Sequence, residues 1–142
     1  MATRELHLRV VTPDRVVFDR KVKAVSFMGI DGSYGILPGH APLMTATRPG
    51  IVKITHLDGQ VEEMLVTDGF AEMRSGVLSL ITDAGERADE IDIERAKEAE
   101  RRARERLAAE RGKSPLSDPA LQRAILRQVL FSRKKVGTGD VR

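Results

Sequence analysis

Apolar and polar positions follow two different periods along this chain. From Glu5 to Thr82 the period is two, as in Leu6, Leu8 and Val10 set against Glu5, His7 and Arg9. The same alternation marks residues 16–19, 22–28, 50–56, 61–68, 69–74 and 77–82, and a period of two predicts strands buried on one face. Turn signals separate the runs: Thr12-Pro13-Asp14, Asp31-Gly32-Ser33, Pro38-Gly39, Arg48-Pro49-Gly50, Asp58-Gly59 and Ser75-Gly76. Leu57-Asp58-Gly59-Gln60 between two alternating runs reads as a hairpin. About eight short strands in this span predict an antiparallel β-sandwich or flattened barrel.

After Asp83 the period becomes helical. A first helix is expected over about 90–111, with acidic residues at its start and Gly112 as its C′ glycine. A second is expected over about 118–135, capped by Ser117 or Asp118 with Pro119 in its first position, followed by a loose tail. The expected architecture is α+β: a sandwich over residues 1–85, then an antiparallel two-helix hairpin over 86–142. At about 100° per residue, Ala96, Ala99, Ala103 and Leu107 form one narrow stripe on the first helix. Such a stripe buries little, at about 0.8 kcal/mol per methyl-sized group and about 1.5–3 kcal/mol for the leucine. Glu98–Arg102, Glu100–Arg104 and Arg106–Glu110 have the spacing of i,i+4 pairs. The first helix therefore reads as largely self-supporting and lightly attached. On the second helix Leu121, Ala124 and Ile125 share one face, with Leu126 and Leu130 nearly opposite. Two apolar faces imply two neighbours, together or in alternate states.

Charge sharpens this division. Residues 1–85 carry 9 Lys+Arg against 10 Asp+Glu, and residues 86–142 carry 15 against 11. The basic part is the helical one, so its partner should be acidic. Arg95, Arg102 and Arg106 line one edge of the alanine stripe near Asp92, as either a solvated face or a cationic groove able to hold an anion. The chain has no cysteine, no apolar run near the ~20 residues that span a bilayer, and no visible signal peptide at its start. Phosphate-loop and dinucleotide fingerprints are missing, as are nucleophile–base and metal-ligand spacings for His7, His40 and His56. A binding or regulatory module is expected, with no catalytic or metal-ligating residue. The segment Gly35-Ile36-Leu37-Pro38-Gly39-His40-Ala41-Pro42-Leu43-Met44-Thr45 contains two prolines and so excludes a central strand. It reads as a rigid rim turn, or as a stiff loop presenting His40.

Four stretches together resemble the epsilon subunit of F-type ATP synthases: LHLRVVTPDRVVFD near the start, GSYGILPGHAPLMTATRPG over 32–50, TDGFAEM, and IDIERAKEAERRA. The resemblance covers nearly the whole chain, and the second stretch is its most specific part. It implies a non-catalytic rotor subunit whose sandwich docks on the gamma subunit and on the c-ring of a proton-translocating complex. It places His40 near the c-ring, and Ser33 where relatives commonly carry an acidic residue. It also implies a helical hairpin that folds down or extends into the alpha/beta catalytic head, where it blocks ATP hydrolysis. The basic Arg123, Arg127, Arg133, Lys134 and Lys135 would then face acidic segments of the beta subunit. In some relatives ATP, a regulatory ligand rather than an obligatory cofactor, binds the folded hairpin through an I/L-D-x-x-R-A motif. That motif is intact here as Ile91, Asp92, Arg95 and Ala96, with Glu86 upstream and Arg102, Arg123 and Arg127 as counterparts of further arginines. The implied location is the cytoplasmic face of the bacterial plasma membrane, peripheral and without direct insertion.

A free-standing module binding nucleic acid or another acidic surface through the arginine-rich helix is the alternative. Glu98, Glu100, Glu105 and Glu110 interleave with the basic residues of that helix, and the chain has no aromatic stacking motif for RNA. No nucleic-acid partner is therefore expected.

Overall fold

The computed structural model describes residues 4–110, 112 and 114–139, without the side chains of 116 and 134–139. It divides into two compact units, the first ending at Glu86 and the second beginning at Arg87.

The first unit is a ten-stranded sheet: β1 (Leu6–Val11), β2 (Val16–Val22), β3 (Ala24–Gly29), β4 (Gly32–Ile36), β5 (Leu43–Thr47), β6 (Gly50–Thr55), β7 (Val61–Val66), β8 (Gly69–Arg74), β9 (Val77–Thr82) and β10 (Gly85–Arg87). The strand order is β10-β7-β6-β3-β5-β8-β9-β1-β2, with β4 on the other side of β3. The two ends of this path meet where Gly85 lies against Val17 and the Arg15 guanidinium donates to the Gly85 carbonyl at 3.4 Å. The sheet is thus a nearly closed, flattened barrel. One pairing departs from the antiparallel expectation: β1 and β9 are parallel. They are joined by a long excursion rather than a hairpin, which leaves either direction open.

Alternation does place the core. Leu6, Leu8, Val10, Val52, Ile54, Met73, Leu78 and Leu80 point inward and are buried together. The Asp58-Gly59 hairpin forms as expected between β6 and β7, with the Asp58 carboxylate accepting from the Gln60 amide at 2.9 Å. Ser75 and Gly76 both adopt positive φ, 52° and 78°. This is the type I′ geometry whose twist suits a two-residue hairpin.

The proline-rich segment differs from expectation. Pro38 lies within the turn Leu37 to His40 and Pro42 just before β5, and the residues on either side pair as β4 and β5. β5 lies inside the sheet, between β3 and β8. Proline excludes only its own position from a ladder, and Pro38 and Pro42 both fall outside these strands.

In the second unit a 3₁₀ turn (Ala88–Glu90) leads into α1 (Ile93–Ala109), and α2 (Pro119–Gly139) packs against α1. Asp92 caps α1 by accepting from the Arg95 amide at 3.2 Å. Asp118, one of the two expected caps, does the same for α2 through the Leu121 amide at 2.9 Å. α1 ends at Ala109 with Glu110 as its cap, before Gly112, whose φ of 87° serves the turn instead. α2 runs past its expected end near Lys135 to Gly139. A glycine lowers helix propensity by about 1 kcal/mol without ending a helix. The rest of the expected tail, residues 140–142, lies outside the described residues.

Gly69, opposite Thr82 in the β8–β9 pair, is the tightest point of the sheet. A Cβ added there would sit 1.9 Å from the Ile81 carbonyl oxygen and 2.8 Å from Thr82 Cα. Both are backbone atoms that no rotamer change can move. Gly69→Ala should therefore destabilise the chain by about 1–3 kcal/mol in urea unfolding, as overpacking does. Gly35→Ala, where nothing lies within 4 Å, should shift stability by less than about 0.5 kcal/mol.

Candidate functional site

The helical seam is poor in apolar contact. Ala103, Leu107 and Leu121 pack together, and Ala96 and Ala124 are also buried. Ala99 of the expected stripe is half-buried, and Ile125, expected to share a face with Leu121 and Ala124, is exposed. Polar links join the helices instead. Gln128 donates to Glu100 at 2.6 Å, and Arg106 donates to Asp118 at 2.8 Å. These two links fix the antiparallel sense of the hairpin. The Arg106 guanidinium reaches across to the α2 cap, with the Glu110 carboxylate one turn along as a further attracting charge. The other two expected pairs form: Arg104 donates to Glu100 at 2.9 Å, and Arg102 Nε lies 3.6 Å from Glu98. Arg101, which the spacing argument missed, bridges Glu98 and Glu105.

The residues implied for nucleotide are distributed as follows. Glu86 is half-buried in β10, in the first unit. Ile91, Asp92, Arg95 and Ala96 gather at the start of α1, with Ile91 and Ala96 buried and Asp92 and Arg95 exposed. Arg102 is exposed two turns further along α1. The two interhelical links set it level with Arg123 and Arg127, which are half-buried one turn apart on α2. For Arg95 and Arg123 the structure has no side-chain partner among the described residues. An open groove of about 430 Å³ on the hairpin has a different lining: Glu100, Arg104, Ile125, Gln128, Val129, Ser132 and Arg133. Arg133 is exposed; the side chains of Lys134 and Lys135 lie outside the described residues. Among the described residues no cluster of three or more His, Cys, Asp or Glu could hold a metal, and no helix is long and apolar enough to cross a membrane.

Ser33 and His40 are not brought together. Ser33 pairs with Met28 near the β3–β4 tip, whereas His40 follows the other end of β4. Leu37 to His40 form a tight turn closed by the His40 amide on the Leu37 carbonyl at 3.1 Å, with Gly39 at φ 84° behind Pro38. The His40 ring is exposed, and its Nδ1 donates to the Ala41 carbonyl at 2.7 Å, which leaves Nε2 facing out.

The largest interaction feature was not among the sequence expectations. Phe70 pairs directly with Ala46 on β5 and Ile81 on β9, and the Ile30 amide donates to the Ala46 carbonyl at 2.9 Å. Met44 lies diagonally beside Phe70. On the outer face of the sheet Met28, Ile30, Met44, Phe70 and Ile81 stay 40–70 % exposed. Exposed apolar residues scattered singly are ordinary, but a contiguous set on adjacent strands marks a docking surface. The signal in the sequence is that Phe70 and Ile81 are large apolar residues at the outward positions of β8 and β9.

Residues 5–88 match the family model described as ATP synthase, Delta/Epsilon chain, beta-sandwich domain. The chain is 43 % identical over 108 residues to an ATP synthase epsilon chain of Pelotomaculum thermopropionicum, covering 76 % of this chain and 80 % of the relative. With the epsilon chain of Carboxydothermus hydrogenoformans it shares 44 % over 104 residues, covering 73 % and 77 %. A solved chain of the Euglena gracilis mitochondrial ATP synthase (OSCP/F1/c-ring) is similar in fold, with a TM-score of 0.67 at 19 % identity, over 97 % of this chain and 84 % of that one. One from the Tetrahymena thermophila mitochondrial ATP synthase central stalk and c-ring has a TM-score of 0.53 at 12 % identity, over 94 % and 98 %.

The Glu100–Gln128 link gives the hairpin a pH dependence. The Gln128 amide first, then Arg104, holds the Glu100 carboxyl below its ordinary value. A depressed carboxylate stabilises above its unfolded pKa, near 4.3, and loses that contribution as pH falls through the lower folded value. A double-mutant cycle of Glu100→Ala and Gln128→Ala should give a coupling of about 1 kcal/mol at pH 7. The coupling should fade on acidification below about pH 4, read by hydrogen exchange of the α2 amides.

Proposed function

The chain belongs to the ATP synthase delta/epsilon family as an epsilon subunit, a structural and regulatory rather than catalytic part of the enzyme, and from that premise we propose how its two units divide the work. The first unit docks on the gamma subunit through its outer apolar face and, with gamma, on the c-ring, so coupling the two parts of the rotor. The exposed row of Ile30, Phe70 and Ile81 beside Met44 carries this reading, because burial of such a row against a partner is favourable by about 25 cal/mol per Å² of apolar surface. Ser33 and His40 are the proposed c-ring contacts. They sit toward opposite ends of β4, so a surface touching both would run the length of that strand. The complex works from the cytoplasmic face of a bacterial plasma membrane.

The second unit is the brake. Few apolar groups hold its helices to one another, so exchanging that seam for other contacts costs little. In the extended state Arg123, Arg127, Arg133, Lys134 and Lys135 face acidic segments of the catalytic beta subunit. ATP favours the folded state by binding Asp92 and Arg95 beside Ile91 and Ala96, together with Arg102, Arg123 and Arg127; Glu86 is the remaining proposed contributor. Guanidinium groups suit this role because each can meet phosphate oxygens with two parallel hydrogen bonds. A ligand specific to one state stabilises it by about 2.7 kcal/mol at a hundredfold excess over its Kd.

Reconstitution with the remaining subunits of the complex tests the division. Phe70→Glu should abolish co-purification with gamma. A chain ending at Glu86 should still co-purify, and its complexes should hydrolyse ATP several-fold faster; unchanged hydrolysis would remove the brake from this reading. Calorimetric titration of the free subunit should give a binding heat with millimolar ATP that Arg95→Ala loses. No heat from either chain would dispose of the ATP site alone.

A further inference from the structure

The two-residue tip between β3 and β4, Ile30-Asp31, holds the one carboxylate in the sequence between Asp19 and Asp58. It stands at the margin of the outer apolar face. Ile30 is joined to that face by the hydrogen bond its backbone N–H donates to the Ala46 carbonyl, and it is 54 % exposed. Its neighbour is turned elsewhere: both carboxylate oxygens of Asp31 accept from the Tyr34 hydroxyl, at 2.9 and 3.0 Å.

Tyr34 itself has little freedom. Its ring stacks on the buried Phe27 with centroids 5.3 Å apart and planes 8° from parallel. It also lies flat over Gly29, where an added Cβ would come within 2.5 Å of the ring. The hydrogen bond to Asp31 raises the phenol above its ordinary pKa. The hydroxyl therefore stays protonated and donating at neutral pH. The stacked ring thus decides where the carboxylate of this tip sits.

Adjacent residues of an extended chain point to opposite faces, so a small rotation of this tip would exchange what it shows to a partner. Presenting the carboxylate in place of Ile30 would bury an unpaired charge in an apolar contact, which is strongly unfavourable. We propose that Tyr34 is a positioning residue for partner docking: by holding Asp31 through its hydroxyl, it presents Ile30 and withholds the carboxylate from the partner that covers the outer face. The inference rests on the docking reading above and names the residue that sets its specificity.

The test uses the full-length chain and gamma. Tyr34→Phe keeps the ring on Phe27 and removes only the hydroxyl, and it should weaken the complex about tenfold at neutral pH. Adding Asp31→Ala to the same chain should restore binding, because no charge is left to misplace. Lowering the pH through the carboxylate range should narrow the gap between Tyr34→Phe and the natural chain. Asp31→Ala alone, with Tyr34 intact, should bind at least as tightly as the natural chain. A purely structural tyrosine would give a defect that Asp31→Ala leaves in place or deepens, and that result would overturn the proposal. So would undiminished binding by Tyr34→Phe, or a weaker complex from Asp31→Ala alone. Phe70→Glu separates the two levels: if it leaves binding unchanged, the docking face itself is wrong and the role of Tyr34 falls with it.

Discussion

Closure of the sheet through Gly85 is the constraint on which the rest of the first unit depends. The residue is small enough to let β10 approach Val17 on β2, and its carbonyl takes the Arg15 guanidinium from the same strand connection. Once the path of strands nearly closes, one face of every strand is inside, and Leu8, Val10, Val52, Ile54, Met64, Leu78 and Leu80 fill it without further help. Nothing in the fold then needs Met44, Phe70 or Ile81, which occupy the other face. Apolar residues that a closed barrel does not use for its own core are left for something outside it. The docking face is thus readable from what closure makes redundant. The Gly69 contact reinforces the argument, because β8 and β9, which carry Phe70 and Ile81, are held at backbone contact.

The second unit is built on the opposite principle. Among the described residues its buried apolar side chains are Ile91, Leu107, Leu121 and Leu130 with Ala96, Ala103 and Ala124, at about 1.5–3 kcal/mol for each larger group and about 0.8 kcal/mol for each alanine at full burial. Two charged or polar links, Glu100–Gln128 and Arg106–Asp118, set the register that apolar packing alone would leave loose. Such links cost desolvation and return about 1 kcal/mol net, so they specify an arrangement more than they stabilise it. Asp118 serves both ends of this logic, capping α2 and holding α1. A hairpin that is well specified and weakly held is what a two-state element requires, since a ligand shifts an equilibrium only by its differential affinity for the two states.

Much of this was legible in the order of residues, and the misses have physical reasons. Local pattern identifies the core of β1, β6, β8 and β9, the hairpin at Asp58-Gly59, the acidic start of α1, and Asp118 as one of two candidate caps for α2. It missed β4 and β5 because Pro38 and Pro42 were taken to disqualify a whole segment, when each removes only its own donor. It could not see the parallel β1–β9 pair or the three-residue β10, since both depend on chain closure far from their own sequence. Helical spacing supplies Glu110 as a neighbour of Arg106 but not Asp118, which comes within reach only once the turn is formed. Phe70 and Ile81, large apolar residues at outward positions of the alternation, mark the row in the sequence. Resemblance supplied what periodicity does not contain: the rotor setting, the nucleotide motif and the c-ring contacts.

On the proposed function the two principles are complementary. A brake must change state without the subunit leaving the rotor, so the affinity that holds it on gamma cannot come from the part that moves. The structure separates these demands by composition as well as by unit. The first unit is nearly neutral, with 9 basic and 10 acidic residues in 1–85, and carries an apolar row on its outer face; the second carries 15 against 11. Apolar docking is insensitive to salt and to the nucleotide, whereas contacts of the basic helices with acidic surfaces or phosphate respond to both. An ionised carboxylate at the edge of the apolar face would blur that separation by bringing ionic strength and pH into docking. Asp31 stands at that edge beside Ile30, and the hydroxyl of Tyr34, its ring stacked on Phe27, is what keeps it aside.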